Sequence, residues 1–313
     1  LSDAQPVGIP SLPEESTFSI HFIDVGQADA ALVECDGHYM LIDGGNKADS
    51  NVIYSVLKKD DIKHLDIVVG THAHEDHIGG IPGAFNYADA ELTLCATKDY
   101  NSNAFTDFKK YADQKGGGII IPSVGDTYSL GSAGVTILGV NGGEDTNDTS
   151  IVLMITYGDT NFLFTGDAER GAEQTILNSG ADPSATVLKV GHHGSDTSTT
   201  YPFLREIMPA YAVISVGTEK SDFNRIKKDS ADTLWINYYA FPYCFCVSYA
   251  QSAVISGREE IFHQLKPVAG FDTKITDKSG KSVSANVNGF LNQQIGEESV
   301  NNGVCCTFTS DGK

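Results

Sequence analysis

Six consecutive residues, His72-Ala73-His74-Glu75-Asp76-His77, put four metal-ligating side chains of two chemical types at the end of a short apolar run, and few folds accommodate that. Leu65-Asp66-Ile67-Val68-Val69-Gly70-Thr71 precedes them and reads as a buried strand. Side chains alternate along a strand, so His72 and His74 leave its end on one side. Ile78-Gly79-Gly80 then opens a turn or helix from which Asp76 and His77 come back. One loop can therefore serve two adjacent cations, His72 and His74 facing one, Asp76 and His77 the other. Imidazole with carboxylate suits zinc, with manganese and iron as alternatives. The competing reading is of solvated loop histidines. The chain has only 9 histidines in 313 residues, and three of them fall here, which weighs against it.

Two later stretches have the same form. Thr165-Gly166-Asp167 ends an apolar strand in a glycine turn, a place for a carboxylate shared by two metals. The competing role for Asp167 is to cap a helix starting near Ala168-Glu169. Leu188-Lys189-Val190-Gly191-His192-His193-Gly194-Ser195 puts adjacent histidines on a Gly-flanked loop after another strand. Two neighbours cannot both point one way. The reading takes His192 as a ligand and His193 as facing substrate, and adjacency alone leaves the reverse open.

His72-x-His74-x-Asp76-His77 behind a hydrophobic strand resembles the signature of the metallo-β-lactamase superfamily. The segment Ser19-Ile20-His21-Phe22-Ile23-Asp24-Val25-Gly26-Gln27-Ala28-Asp29-Ala30 is followed by Met40-Leu41-Ile42-Asp43-Gly44-Gly45. With the His192-His193-Gly194-Ser195 run, that pair resembles the soluble domain of ComEC-like DNA-internalisation competence proteins, from about Phe18 to Gly217. The resemblance implies a four-layer αββα sandwich of the α+β class, with the metal site at one edge between the sheets. It implies two divalent metal ions, zinc first, on His72, His74, Asp76, His77, Asp167 and His192, with Asp167 bridging. Asp43 is expected to orient a ligating imidazole. The implied chemistry is hydrolysis of a phosphodiester by a metal-activated hydroxide, with Asp76 orienting the hydroxide and His193 stabilising the developing charge.

Many superfamily members carry a further His before the bridging Asp. This chain has none between His77 and His192. Asn147-Asp148-Thr149-Ser150 occupies that stretch, as Asn and Ser do in the ComEC-like branch, so Asn147, Asp148 or water is expected to stand in for it. There is one departure: ComEC-like chains follow the strand corresponding to Ile214-Ser215-Val216-Gly217 with Asn and then Gly-His-Pro. Here Thr218-Glu219-Lys220-Ser221-Asp222 follows, and no His occurs before His263. That difference keeps two alternatives in play: hydrolysis of an acyl bond (lactone, thioester or β-lactam), or a non-catalytic metal-stabilised binding module.

With 21 Lys and Arg against 41 Asp and Glu, the formal charge is −20. Such a chain repels long polyanions, and no basic-aromatic run offsets the field, so tight nonspecific duplex binding is not expected. A small-molecule or phosphodiester substrate is. The six cysteines have neither zinc-finger nor disulfide-scaffold spacing and read as buried thiols. Residues 1–17, rich in Pro, Glu and Ser, read as a flexible tether. A tether of this kind suggests a secreted or cell-surface protein, with a cytoplasmic one as the alternative. The domain follows over residues 18–217, and residues 218–313 form a divergent region completing or extending it. Thr233 to Gly257 lacks charge, but Asn237, Pro242 and Gln251 interrupt it, so buried structure is favoured over a membrane span.

Periodicity places strands at Ser19–Val25, Ala30–Cys35 and Tyr39–Ile42, a helix at Val52–Lys59 and a strand at Ile67–Val69. A short helix near Ile81–Phe85, a strand at Leu92–Ala96 and a helix over Asn103–Gln114 come next. Strands at Ile119–Ile121 and Val135–Val140 precede a hairpin of Ser150–Thr156 and Asn161–Thr165. A helix at Glu169–Asn178, a strand at Thr186–Val190, a helix at Tyr201–Ile207 and a strand at Tyr211–Val216 complete the domain. Asp24 and Asp29 read as turn formers, and Asp272–Asn288 as exposed strands.

Overall fold

The computed structural model describes residues 12–13, 15–195, 197–209, 211–215, 245–246, 271–276, 282–288 and 304–309. Strands β1 (Thr17–Phe22), β2 (Ala31–Cys35) and β3 (His38–Ile42) form an antiparallel meander. From β3 onward the sheet turns parallel through β4 (His64–Gly70), β5 (Asp89–Cys95) and β6 (Ile119–Ile120). Parallel neighbours need crossovers. Helices α1 (Ser50–Lys59), α2 (Glu75–Ile78), α3 (Ile81–Tyr87) and α4 (Asn103–Lys115) lie in them. The second sheet begins as an antiparallel ribbon of β7 (Thr127–Leu130), β8 (Ala133–Gly139), β9 (Val152–Tyr157) and β10 (Thr160–Phe164). It continues in parallel through β11 (Val187–Lys189) and β12 (Tyr211–Ile214), with α5 (Arg170–Ser179) and α6 (Tyr201–Ile207) in the crossovers.

Period-two alternation sorts the side chains into three cores. Phe18, Ile20, Phe22, Met40, Ile42, Ile67 and Val69 face Val135, Ile137, Leu153, Ile155, Phe162 and Phe164 between the sheets. Phe18 stacks on Tyr157 and meets Phe162, each at 4.9 Å. Alternate residues Leu41 and Val68 pack outward under Ile53, Leu57, Phe85 and Phe108 of α1, α3 and α4. Val152, Met154, Leu163 and Leu188 do the same under Ala172, Ile176, Phe203 and Leu204 of α5 and α6. The expected αββα layering is what these cores build.

The expected elements are present, with shifted ends. The first strand stops at Phe22 rather than Val25, because Asp24 accepts from the Gly26 amide and Gly26 sits at φ 69°, which turns the chain. Tyr157 pairs with Thr160, so the hairpin turn is only Gly158-Asp159. Strand β7 was not anticipated: it buries a single residue, Leu130, and so carries almost no apolar pattern. Strand β13 (Phe245–Cys246) adds to β12, and β14 (Phe271–Thr276), β15 (Ser282–Asn288) and β16 (Val304–Thr309) extend the first sheet beyond β1. Strands β14 and β15 are an antiparallel pair within the expected Asp272–Asn288 region. Most of the tether, the Thr218–Asp222 departure and nearly all of the uncharged Thr233–Gly257 stretch lie outside the described residues. Among the described residues, no helix is long and apolar enough to cross a membrane, and Cys35 and Cys95 are buried free thiols.

Candidate metal centre

Asp43 follows β3, His72–His77 follow β4, Asp167 follows β10, His192 and His193 follow β11, and Ser215 follows β12. The carboxyl ends of five strands from both sheets therefore meet at one edge, where open α/β sheets form their crevices. The loops are drawn together by backbone bonds. Asp43 N donates to Val69 O (2.8 Å), Gly44 N to His77 O (2.7 Å), and Gly80 N to Gly45 O (2.9 Å). A Cβ on Gly80 would fall 1.9 Å from Gly44 O, so only glycine allows this approach.

Asp76, His77, Asp167 and His193 each offer a ligand atom, all within 4.8 Å of one another. His77 Nε2 lies 3.2 Å from Asp167 Oδ1, and His193 Nε2 lies 3.3 Å from Asp76 Oδ2 and 3.8 Å from Asp167 Oδ2. His72 Nε2 and His192 Nε2 approach that same Asp167 Oδ2, at 3.9 and 3.7 Å. His74 Nδ1 is 3.0 Å from His72 Nε2. His72, His77, Asp167 and His193 are buried, whereas His74, Asp76 and His192 reach solvent in part. His77 Nε2, His193 Nε2 and Asp167 Oδ1 are buried without a hydrogen-bond partner. Converging ligand atoms with no well-formed hydrogen bond between them are what a divalent cation fits and what a purely structural polar cluster avoids.

Charge orders the cluster. Burial favours a neutral Asp167, but the imidazoles of His77 and His193 outweigh it and hold the carboxyl well below its usual range. Burial lowers His77, and Asp167 and Asp43 together reverse that and raise it well above the ordinary value. His193, lowered by burial and lifted by Asp29 and Asp167, is raised to about 10. His72 goes the other way: burial and the neighbouring His77 push it well below 6.5, leaving a neutral imidazole. A cation entering here would displace protons from His77 and His193, which makes metal uptake pH-dependent.

Carboxylates stand behind the rings. Asp43 Oδ2 sits 2.8 Å from His77 Nδ1, while Asp43 Oδ1 accepts from Thr71 N at 2.8 Å, so its expected orienting role has a geometric basis. Glu169 Oε1 sits 3.1 Å from His192 Nδ1 and accepts from Asn147 Nδ2 and Thr197 Oγ1. The sequence had suggested Glu169 only as a helix start. Asp148 was expected among the stand-ins for the missing ligand. It instead accepts from Glu169 N (2.9 Å) and Ala172 N (3.1 Å), capping α5. Asp167 is thereby released from the capping role, and its own amide donates to Ser150 Oγ. The turn-former reading holds for Asp24 but not for Asp29. Asp29 is buried, 2.8 Å from Lys189 Nζ and 3.6 Å from His193 Nδ1. The available signal was Lys189, a charge inside an otherwise apolar strand, which demands a buried partner.

Residues 23–218, more than half of the chain, match the Metallo-beta-lactamase superfamily. The chain belongs to that superfamily. The metallo-beta-lactamase match spans the edge just described, from the loop after β1 to just beyond β12, and with it comes the general class of metal-dependent hydrolases. Among curated relatives, ComE operon protein 3 of Bacillus subtilis is 29% identical over 230 residues, covering 66% of this chain and 29% of that protein. Recombination protein 2 of Haemophilus influenzae is 29% identical over 208 residues, covering 64% of this chain and 24% of that protein. The chain thus matches less than a third of these relatives' length. A solved metallo-beta-lactamase fold protein, YhfI from Bacillus subtilis, aligns with 63% of this chain and 85% of its own, at 15% identity and a TM-score of 0.42.

Proposed function

We propose that the chain is a dinuclear metal-dependent phosphodiesterase. The observation that carries this is Asp167, whose Oδ2 lies within 4 Å of ring nitrogens from three histidines, with His77 at its other oxygen. Two donor sets share it. His72, His74 and His192 would hold one ion, and Asp76, His77 and His193 the other, with zinc the best match to the donors. In this reading His193 is a ligand as well as His192, a revision of the expectation that it faces substrate. Its Nε2 is turned inward among the ligand atoms, and it is buried where His192 is partly open.

When bound, such a pair supplies a nucleophile by lowering the pKa of water from about 15.7 to about 7. The chain's own groups do the rest. Asp43 and Glu169 fix the faces of His77 and His192. Asp76, with its side chain 33% exposed, is the carboxylate of the four-residue cluster that reaches the mouth, where it can orient an incoming water. Tyr100, 38% exposed, lies 6.2 Å from the His74 ring on the same open side.

Relatives named for a competence operon and for recombination favour a nucleic-acid phosphodiester over an acyl bond. The charge of −20 favours short or single-stranded substrates over long duplex. The test is hydrolysis of an activated phosphodiester by protein stripped of metal and refilled with zinc or manganese, beside a panel of lactone, thioester and β-lactam substrates. Metal-dependent phosphodiester turnover is expected, with both metal and turnover lost in His74→Ala and Asp167→Ala. Turnover on the acyl panel alone, or full turnover in either variant, would overturn the reading.

A further inference from the structure

We propose that Asp29 and Lys189 are a buried charge pair that positions His193 as a metal ligand. The inference rests on the dinuclear reading above and adds residues that no ligand motif contains. Both partners are nearly closed to solvent, with side chains 7% and 5% exposed. Among the described residues, the other Lys and Arg ion pairs all lie at the surface. Lys189 Nζ donates to Asp29 Oδ2 at 2.8 Å and to Val190 O at 3.1 Å. The other carboxylate oxygen, Asp29 Oδ1, is buried, has no hydrogen-bond partner, and lies 3.6 Å from His193 Nδ1.

The pair links both halves of the site. Asp29 N donates to Asp76 O at 3.1 Å, and Asp29 O accepts from Gly45 N at 2.8 Å, so its backbone fixes the first sheet's loops. Lys189 is the last residue of β11, four positions before His193, in the second sheet. His193 Nδ1 also lies 3.1 Å from Ser215 O. A carbonyl and a carboxylate oxygen on the Nδ1 side hold a proton there, so Nε2, which faces Asp76 and Asp167, is the nitrogen that would give up its proton to a metal. Lys189 offsets the Asp29 charge, so the carboxylate polarises the ring without standing alone in a closed space. Neither residue touches a reacting atom, and both act through His193.

A sheet-to-sheet staple with no role in metal binding would look alike in a static structure, so the test separates the two. Zinc affinity by chelator competition and apo thermal stability are measured for wild type, Lys189→Met, Asp29→Asn and the double variant. Removing one member of a buried pair leaves an uncompensated charge, and replacing both relieves it, so apo stability recovers in the double variant under either reading and zinc affinity separates them. The expected result is a destabilised Lys189→Met and a double variant with near wild-type apo stability but zinc affinity lowered about 10–100-fold at one of two sites. Wild-type affinity at both sites in a folded double variant would overturn the positioning role. Should the double variant not fold, Asp29→Asn gives the same reading. It keeps the shape of Asp29, and unchanged zinc affinity in it overturns the proposal. Zinc is titrated into wild type first. No uptake there would mean that the dinuclear reading itself had failed, an outcome distinct from failure of the pair's role.

Discussion

Asp43 holds φ 57°, a backbone region that Asp tolerates better than most residues, and this turns its carboxylate back beneath β4. One oxygen meets Thr71 N and the other meets His77 Nδ1 and Thr71 Oγ1, so a single side chain fixes both the strand end and a ligand ring. Burial raises its pKa against the opposing pull of His77. Asp43→Asn preserves the shape and removes the charge that makes His77 a stronger donor to metal. Loss of such a partner lowers metal affinity about 10–100-fold. Chelator competition against the apo variant should show that drop while the melting curve stays cooperative. An unchanged zinc affinity would make Asp43 a strand-end fixture only.

At the scale of elements, α5 carries an acid on its buried face. Glu173 accepts from the amides of Thr199 and Thr200 and from the Thr200 hydroxyl. That holds Thr199 at φ 53°, unusual for a β-branched residue, and Thr199 Oγ1 in turn accepts from Gly191 N, next to His192. Burial pushes the Glu173 carboxyl up from 4.5 to about 7, against the hydrogen bonds that favour its charged form. A folded-state pKa above the unfolded one means stability that is full below about 4.5 and is lost as pH rises through about 7. The largest swing such a shift allows is about 3 kcal/mol. Glu173→Gln removes the titration, so urea midpoints should lie close together at pH 5 and diverge by pH 8 in favour of the glutamine variant. Parallel wild-type and variant profiles across that range would refute the assignment. This acid was not singled out in the sequence, because Ala172-Glu173 reads as an ordinary turn of an amphipathic helix.

Across the whole molecule, what the sequence made legible was local, and what it hid was pairing. Alternation in Phe18-Ser19-Ile20-His21-Phe22 and the apolar runs before His72 and Asp167 mark strands, and the sheets hold strands there, with His72 and Asp167 just past their ends. Asp29 meeting Lys189, 160 residues on, follows from two loops converging, which no periodicity encodes. The adjacent histidines were ambiguous because both take positive φ, 47° and 51°, so their side chains are set by the turn rather than by strand alternation. The same architecture fixes what metal removal should do. Three apolar cores, two under helices and one between the sheets, are complete without an ion, unlike small domains that fold only around zinc. Metal at about a hundredfold over its Kd adds about 2.7 kcal/mol per site. Each kcal/mol moves the midpoint of a domain of this size by about 2–4 °C. Chelated protein should thus melt roughly 5–20 °C below the zinc-loaded form, depending on whether one site or two contribute, and still in a cooperative transition. Scanning calorimetry with and without chelator reads both quantities. Loss of the transition on chelation would mean that the acids and the histidines gathered at the strand ends cannot be held together by the sheets alone, and that the ion is part of the fold.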